Sequence, residues 1–210
     1  MLSTIERVTR KIAPGRTPSF TEAHVIKALE IIDDRETVGR IRLSKELGLG
    51  EGVTRTLVKH LQSEEVIKIS KYGIALLDYG KKLFSDLKSK IGGGVEVQPT
   101  PLTVGSFNFA VLVRDIAHRV KRGIEQRDTA IKAGALGATT LIFSRNKLTM
   151  PPSEEDVFKG IPSIHDMLVS KLGPKENDVI IVGSGENKTS AEIGAKMAAL
   201  KLLKSESKDK

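Results

Sequence analysis

The chain has 210 residues, with 34 Lys and Arg against 26 Asp and Glu, a formal charge of +8 at neutral pH and no cysteine. The basic balance points to an anionic partner, nucleic acid first, and the lack of cysteine excludes disulfides, Fe–S clusters, cysteine zinc fingers and thiol nucleophiles. No apolar run is long enough to span a bilayer and the N-terminus lacks the apolar stretch of a signal peptide, so a cytoplasmic protein without membrane contact is expected.

Ile5, Val8 and Ile12 recur at helical spacing before Pro14-Gly15 and Pro18 break the pattern. This predicts an N-terminal arm that is either a docking or dimer-forming helix or a frayed end. Ser19 and Glu22 have the spacing of a capping box, and Val25, Leu29 and Ile32 give the helix after them a buried face, closing at Asp33-Asp34. Val38 to Leu43 reads as a short strand. Leu43 and Leu47 place a short helix from about Ser44, ended by Gly48, and Val53, Leu57 and Leu61 place a second whose other faces carry Thr54, Arg55, Lys59 and Gln62. Val66 to Ser70 and Ile74 to Leu77 read as two strands joined at Lys71-Tyr72-Gly73. Together these elements predict a winged helix-turn-helix with the wing tip at Lys71.

Such a module takes double-stranded DNA as its partner. Ser44, Thr54 and Lys59 are the candidate phosphate contacts, and the Arg55 fork suits a guanine edge. Lys68, Lys71 and Tyr72 on the wing would add backbone or minor-groove contacts; a winged helix used as a protein-docking element is the alternative. Residues 1–92 hold 17 Lys and Arg against 12 Asp and Glu, which places much of the net charge in this half. The run KELGLGEGVTRTLVKHL, a polar pair and then VIKIS resembles the winged-helix regulators of bacteria and archaea, whose second helix enters the major groove. Over its whole length the chain resembles an archaeal family of two-domain proteins with this N-terminal module and a C-terminal domain of unassigned function. That resemblance implies a DNA-binding transcriptional regulator.

Beyond the wing, Leu83, Phe84, Leu87 and Ile91 line one stripe of a helix over 80–91, which would pack on the core or pair two subunits. A homodimer suits the module because paired helices read two half-sites. Gly92-Gly93-Gly94 through Pro99-Thr100-Pro101 reads as a linker over 92–101, separating a DNA-binding domain at 1–91 from a ligand-sensing or assembly domain at 102–210. The second domain alternates: strand Phe107 to Val113, helix Glu125 to Ala133 with Gly134 after it, strand Ala138 to Phe143, a turn at Arg145-Asn146-Lys147, strand Leu148 to Met150, helix Ile161 to Leu172, strand Val179 to Val182 and helix Thr189 to Leu203. The β-α-β-β-α-β order with a terminal helix predicts a small α/β sandwich of ferredoxin-like type, and an α+β class for the chain.

The second candidate site is the glycine-rich junction between that last strand and helix. Gly183, Ser184 and Gly185 would let backbone amides approach a ligand, with Asn187, Lys188 and Thr189 at a helix start that favours a small anionic effector. The spacing is not that of a P-loop. A capping box at Thr189 and Glu192 is the structural alternative. Arg114-Asp115 and Arg127-Asp128 could grip a carboxylate or phosphate, or form plain ion pairs. The histidines are scattered without metal-ligand spacing, so no metal, cofactor or catalytic residue is assigned. Two other functions remain: an enzyme acting on a phosphorylated small molecule, with Asp115, Asp128 or Glu186 as its carboxylate, and RNA binding through Phe107 and Phe109.

Overall fold

A computed structural model describes residues 1–10, 18–153 and 155–205, and the chain divides into two compact units, Met1–Lys88 and Ser89–Lys210. Ile12 and the break at Pro14-Gly15 lie outside the described residues. No helix among the described residues is long and apolar enough to cross a membrane.

The first unit opens with helix α1 (Leu2–Thr9), whose Thr4, Ile5 and Val8 are buried. It docks on its own unit. The Val8 carbonyl accepts from buried His60 Nδ1 at 2.7 Å, and Arg7 pairs with Glu64 at 2.8 Å. Helix α2 (Glu22–Arg35) starts from Thr21 rather than from the Ser19–Glu22 box. The Thr21 amide donates to His24 Nδ1 at 3.1 Å, so a histidine fills the reciprocal role expected of the glutamate.

Helix α3 (Arg40–Leu47) corrects the strand expected over 38–43. Only Val38 keeps an extended role, exchanging two backbone hydrogen bonds with Ile74 at 3.0 and 2.9 Å. From Gly39 the chain turns into a helix that buries Leu43 and Leu47 and leaves Ile41 in solvent, a 3.6-residue rather than a two-residue pattern. Gly48 ends it in the left-handed region, φ 69°, as the spacing predicted. Helix α4 (Glu51–Ser63) follows, then the hairpin of β1 (Ile67–Ser70) and β2 (Gly73–Leu76), antiparallel with Ser70 opposite Gly73. Gly73 has φ 130°, and a Cβ there would sit 2.9 Å from the Val38 carbonyl, so the wing closes only with glycine.

Helix α5 (Asp78–Lys88) buries Leu83, Phe84 and Leu87 inside the unit. The stripe considered for subunit pairing therefore belongs to the core. Ile91 is not on that helix. It begins strand β3 (Ile91–Val97), which replaces the front of the expected 92–101 linker. Gly94 meets a neighbour rather than loosening a tether: a Cβ there would lie 2.5 Å from the Phe109 ring.

The second unit is a five-stranded antiparallel sheet, ordered β3-β4-β7-β5-β6, built from β3, β4 (Phe107–Val113), β5 (Gly137–Ser144), β6 (Lys147–Thr149) and β7 (Val179–Gly185). Helices α6 (Ile124–Lys132), α7 (Pro162–Leu172) and α8 (Lys188–Lys204) complete it. The expected β-α-β-β-α-β order with a terminal helix is present as β4-α6-β5-β6-α7-β7-α8. The winding differs from the ferredoxin-like one: the second and fourth strands of the set are innermost here, not the first and third, and β3 is added at the β4 edge. Strand alternation sends Ala110, Leu112, Leu141, Ile180 and Val182 to one face with Leu168 and Leu172 of α7. The other face takes α8, which packs on β7 and β4 and against α6.

Candidate nucleic-acid interface

In α4 the apolar positions Leu57, Val58 and Leu61 are buried, and Gly52, Arg55, Thr56 and Lys59 are exposed. Those four recur at intervals of three, one and three residues and form one stripe along the helix. Among the described residues, neither Arg55 nor Lys59 is held in an ion pair or side-chain hydrogen bond, so both heads are available to a partner. A Cβ at Gly52 would meet nothing within 4 Å, so the start of the stripe is open.

Two of the expected DNA contacts are corrected. Ser44 is 6% exposed and its hydroxyl donates to the Leu49 carbonyl at 2.6 Å, fastening the turn after α3. Thr54 is 0% exposed and donates to the Gly50 carbonyl at 3.2 Å. The Ser44 hydroxyl is engaged at the turn before α4 and the Thr54 hydroxyl at the helix's first turn, so both are used within the fold. Sequence reasoning missed Thr56, which adjoins Arg55 on the exposed stripe, and the exposed Arg40, Ile41 and Lys45 of α3. The signal for the α3 residues was hidden once 38–43 was read as a strand.

Lys68, Lys71 and Tyr72 are all exposed on the wing, Tyr72 at 76%. Lys71 and Tyr72 are the two turn residues, and Lys71 Nζ lies 5.0 Å from the Tyr72 ring centre. The tip therefore presents a cation and an aromatic ring together.

Glu46 braces this module from behind, accepting from Arg42 Nε and Arg35 Nη2 at 2.9 Å each and so tying α3 to the end of α2. Burial pushes the Glu46 carboxyl up, but Arg42 and Arg35 more than offset this and hold it below the usual glutamate value. A carboxyl depressed in the folded state adds stability that is present above its unfolded pKa and is lost as pH falls through its folded one. Thermal unfolding followed from about pH 7 to about pH 3 is expected to show a smaller acid-induced fall in midpoint for Glu46→Gln than for wild type. Parallel curves would remove Glu46 from that role.

The expected ligand residues of the second unit do not converge. Gly183, Ser184 and Gly185 are buried inside β7, not in a loop. A Cβ at Gly183 would stand 2.7 Å from Ala195 N, and one at Gly185 2.6 Å from Ala191 N, so these glycines admit α8 rather than an anion. Ser184 donates to Asn108 Oδ1 at 2.7 Å. Helix α8 is capped by Asn187, whose Oδ1 accepts from the Ser190 amide at 2.9 Å, in place of the Thr189–Glu192 box. Lys188 pairs with Glu96 at 2.7 Å beside an open cleft of about 220 Å³ that Phe107 and Asn108 also line. Thr189 is half-buried.

Arg114 reaches buried Asp178 at 3.4 Å. The Asp178 carboxylate also accepts from the amides of Asp115 and Lys175 at 2.8 Å each. Among the described residues, the side chains of Arg127 and Asp128 bond only to each other, at 3.1 Å, on the surface of α6. The first dipeptide is thus tied to Asp178, through the Arg114 guanidinium and the Asp115 amide, and the second is an exposed pair of sequence neighbours. The Ser144 hydroxyl and then the Arg145 amide hold the Glu176 carboxyl below its ordinary value at the β5–β6 turn. No group of three His, Cys, Asp or Glu side chains among the described residues could hold a metal ion.

Residues 24–91 match the family described as the CggR N-terminal DNA binding domain, and residues 104–202 match a domain of unknown function, DUF4443. A solved structure of a hypothetical protein from Pyrococcus horikoshii OT3 is similar over 90% of this chain and 95% of its own, at 26% identity and a TM-score of 0.73. None of the curated proteins matches the chain. The first unit is thus similar to a DNA-binding domain, and the chain couples that domain to a five-stranded antiparallel sheet unit.

Proposed function

We propose that the protein is a sequence-specific, DNA-binding transcriptional regulator that works as a homodimer, of the archaeal two-domain kind. The observation that carries this reading is the exposed stripe Gly52, Arg55, Thr56 and Lys59 along α4, the second helix of the winged helix-turn-helix, in which the Arg55 and Lys59 heads have no partner among the described residues. Two supports stand beside it: the similarity of residues 24–91 to a DNA-binding domain, and the similar Pyrococcus structure over nearly the whole chain. In such modules the second helix lies in the major groove. Arg55 would read a guanine edge through its fork, Lys59 and Thr56 would meet phosphates, and the Lys71-Tyr72 tip would reach the flanking backbone or minor groove.

The second unit serves assembly in this reading. Of its expected effector residues, Gly183, Ser184 and Gly185 are buried in β7, Asn187 caps α8, Arg114 pairs with Asp178, and Lys188 beside the cleft pairs with Glu96.

The test is a salt titration of binding to a duplex selected from genomic fragments. Wild-type affinity is expected to fall steeply with salt as counterions are released. Arg55→Ala is expected to cost about 1–3 kcal/mol and relax preference at one base pair, and Lys59→Ala to weaken all sequences alike and reduce the salt slope by about one. If all three proteins fail to bind duplex DNA at low salt, the reading is wrong and the module is a protein-docking element.

A further inference from the structure

We infer that α6 pairs two copies of this chain in an antiparallel contact about a twofold axis passing between Arg127 and Asp128. Gln126 and Ala130 hold α6 to its unit. The opposite face carries Ile124 and Ile131, 44% and 47% exposed, with exposed Arg127 and Asp128 between them. These four occupy one helical stripe, the spacing of a helix–helix seam.

Their order is what selects the partner. Ile124 stands three residues before Arg127, and Ile131 stands three residues after Asp128. Two such helices laid antiparallel about the Arg127–Asp128 midpoint put each Ile124 against the other copy's Ile131. The same operation puts each Arg127 against the other copy's Asp128. An isologous contact requires this: if residue i meets residue j, then j meets i.

Within one chain the Arg127–Asp128 pair is a poor use of both groups. The two are sequence neighbours at 3.1 Å on an exposed surface, where an ion pair is worth little. Facing the other copy between two isoleucines, each guanidinium gains a carboxylate it can address with its fork in a drier setting. An acidic or a basic partner would satisfy one charge and oppose the other, whereas a second copy satisfies both. The contact is short, so the dimer forms in a concentration-dependent way. The inference does not need the DNA reading; where that reading holds, this seam is what joins two DNA-binding units.

Sedimentation equilibrium of the full chain without DNA, over a concentration series, tests it. Wild type is expected to pass from one chain to two. Arg127→Asp and Asp128→Arg should each weaken self-association by about tenfold or more, because like charges then face across the axis. An equimolar mixture of the two variants should associate again, since a doubly acidic helix then meets a doubly basic one. Far-UV circular dichroism should be unchanged, as both side chains are exposed. Single-chain mass for wild type throughout, single variants that associate as wild type does, or a mixture that stays monomeric would each overturn the seam, and none of these bears on whether Arg55 reads DNA.

Discussion

Gly183→Ala is expected to destabilise the second unit by about 3 kcal/mol or more and to lower its thermal midpoint by roughly 10 °C. The added Cβ has no flexible group to displace. It would stand 2.7 Å from Ala195 N and press on the Ala191 carbonyl, both backbone atoms of α8. Helix α8 would have to move off β7, opening the face where Ala191, Ala195 and Ala198 are fully buried. Gly160→Ala, at a position with nothing within 4 Å, is the control and should leave the midpoint unchanged. A glycine kept for a ligand behaves in the opposite way, sparing stability and costing binding. An unshifted midpoint for Gly183→Ala would revive the anion-loop reading of residues 183–189.

The second large effect falls on a residue that sequence reasoning passed over. Asp178→Ala is expected to cost about 2–4 kcal/mol in thermal or chemical unfolding. Its carboxylate collects the amides of Asp115 and Lys175 at 2.8 Å and the Arg114 guanidinium at 3.4 Å. Asp115 is held at φ 48°, and the carboxylate takes up the amide that this conformation presents. Truncation leaves both amides without an acceptor, whereas Asp178→Asn keeps one oxygen and should cost about half as much. Arg114→Ala should cost well under 1 kcal/mol, because that side chain is partly exposed and its bond is long. Stability lost equally in the Arg114 and Asp178 variants would instead make the ion pair, not the amide cluster, the source of the effect.

These residues mark where the sequence was legible and where it was not. Leu43, Leu47, Gly48, Leu57 and Leu61 announced the helix-turn-helix because helical spacing and a left-handed cap are local properties. Lys71 and Tyr72 announced the wing for the same reason. Ser44 and Thr54 could not be placed, since a short hydroxyl near a turn caps the backbone or faces solvent according to contacts that only folding supplies. Val38 and Ile41 are both β-branched, yet one bridges Ile74 and the other rides exposed on α3; propensity alone does not separate them.

Glycine misled twice in the second unit, both times for one reason. Gly92 to Gly94 looked like tether and Gly183 to Gly185 like a ligand loop, yet both runs lie in strands, and at Gly94, Gly183 and Gly185 a close neighbour leaves no room for a side chain. The neighbours, Phe109 in one case and the alanine-rich α8 in the other, are distant in sequence or fold back from the far side of a turn. The sites followed the same rule. Arg55, Lys59, Lys68 and Lys71 were legible as exposed cations on a local pattern, and the dispersal of Arg114 and Arg127 became visible only once the sheet order was known.

The five-stranded sheet ends in β3 on one side and β6 on the other. Either margin could template an unwanted strand, because outer strands carry unpaired amides and carbonyls. Neither offers a regular ladder. β3 slips register between Ile91 and Gly94, and β6 is three residues long. Short and bulged margins of this kind guard against edge-to-edge aggregation. Open-ended strand addition, which can grow without limit, therefore finds no regular ladder to extend at either margin.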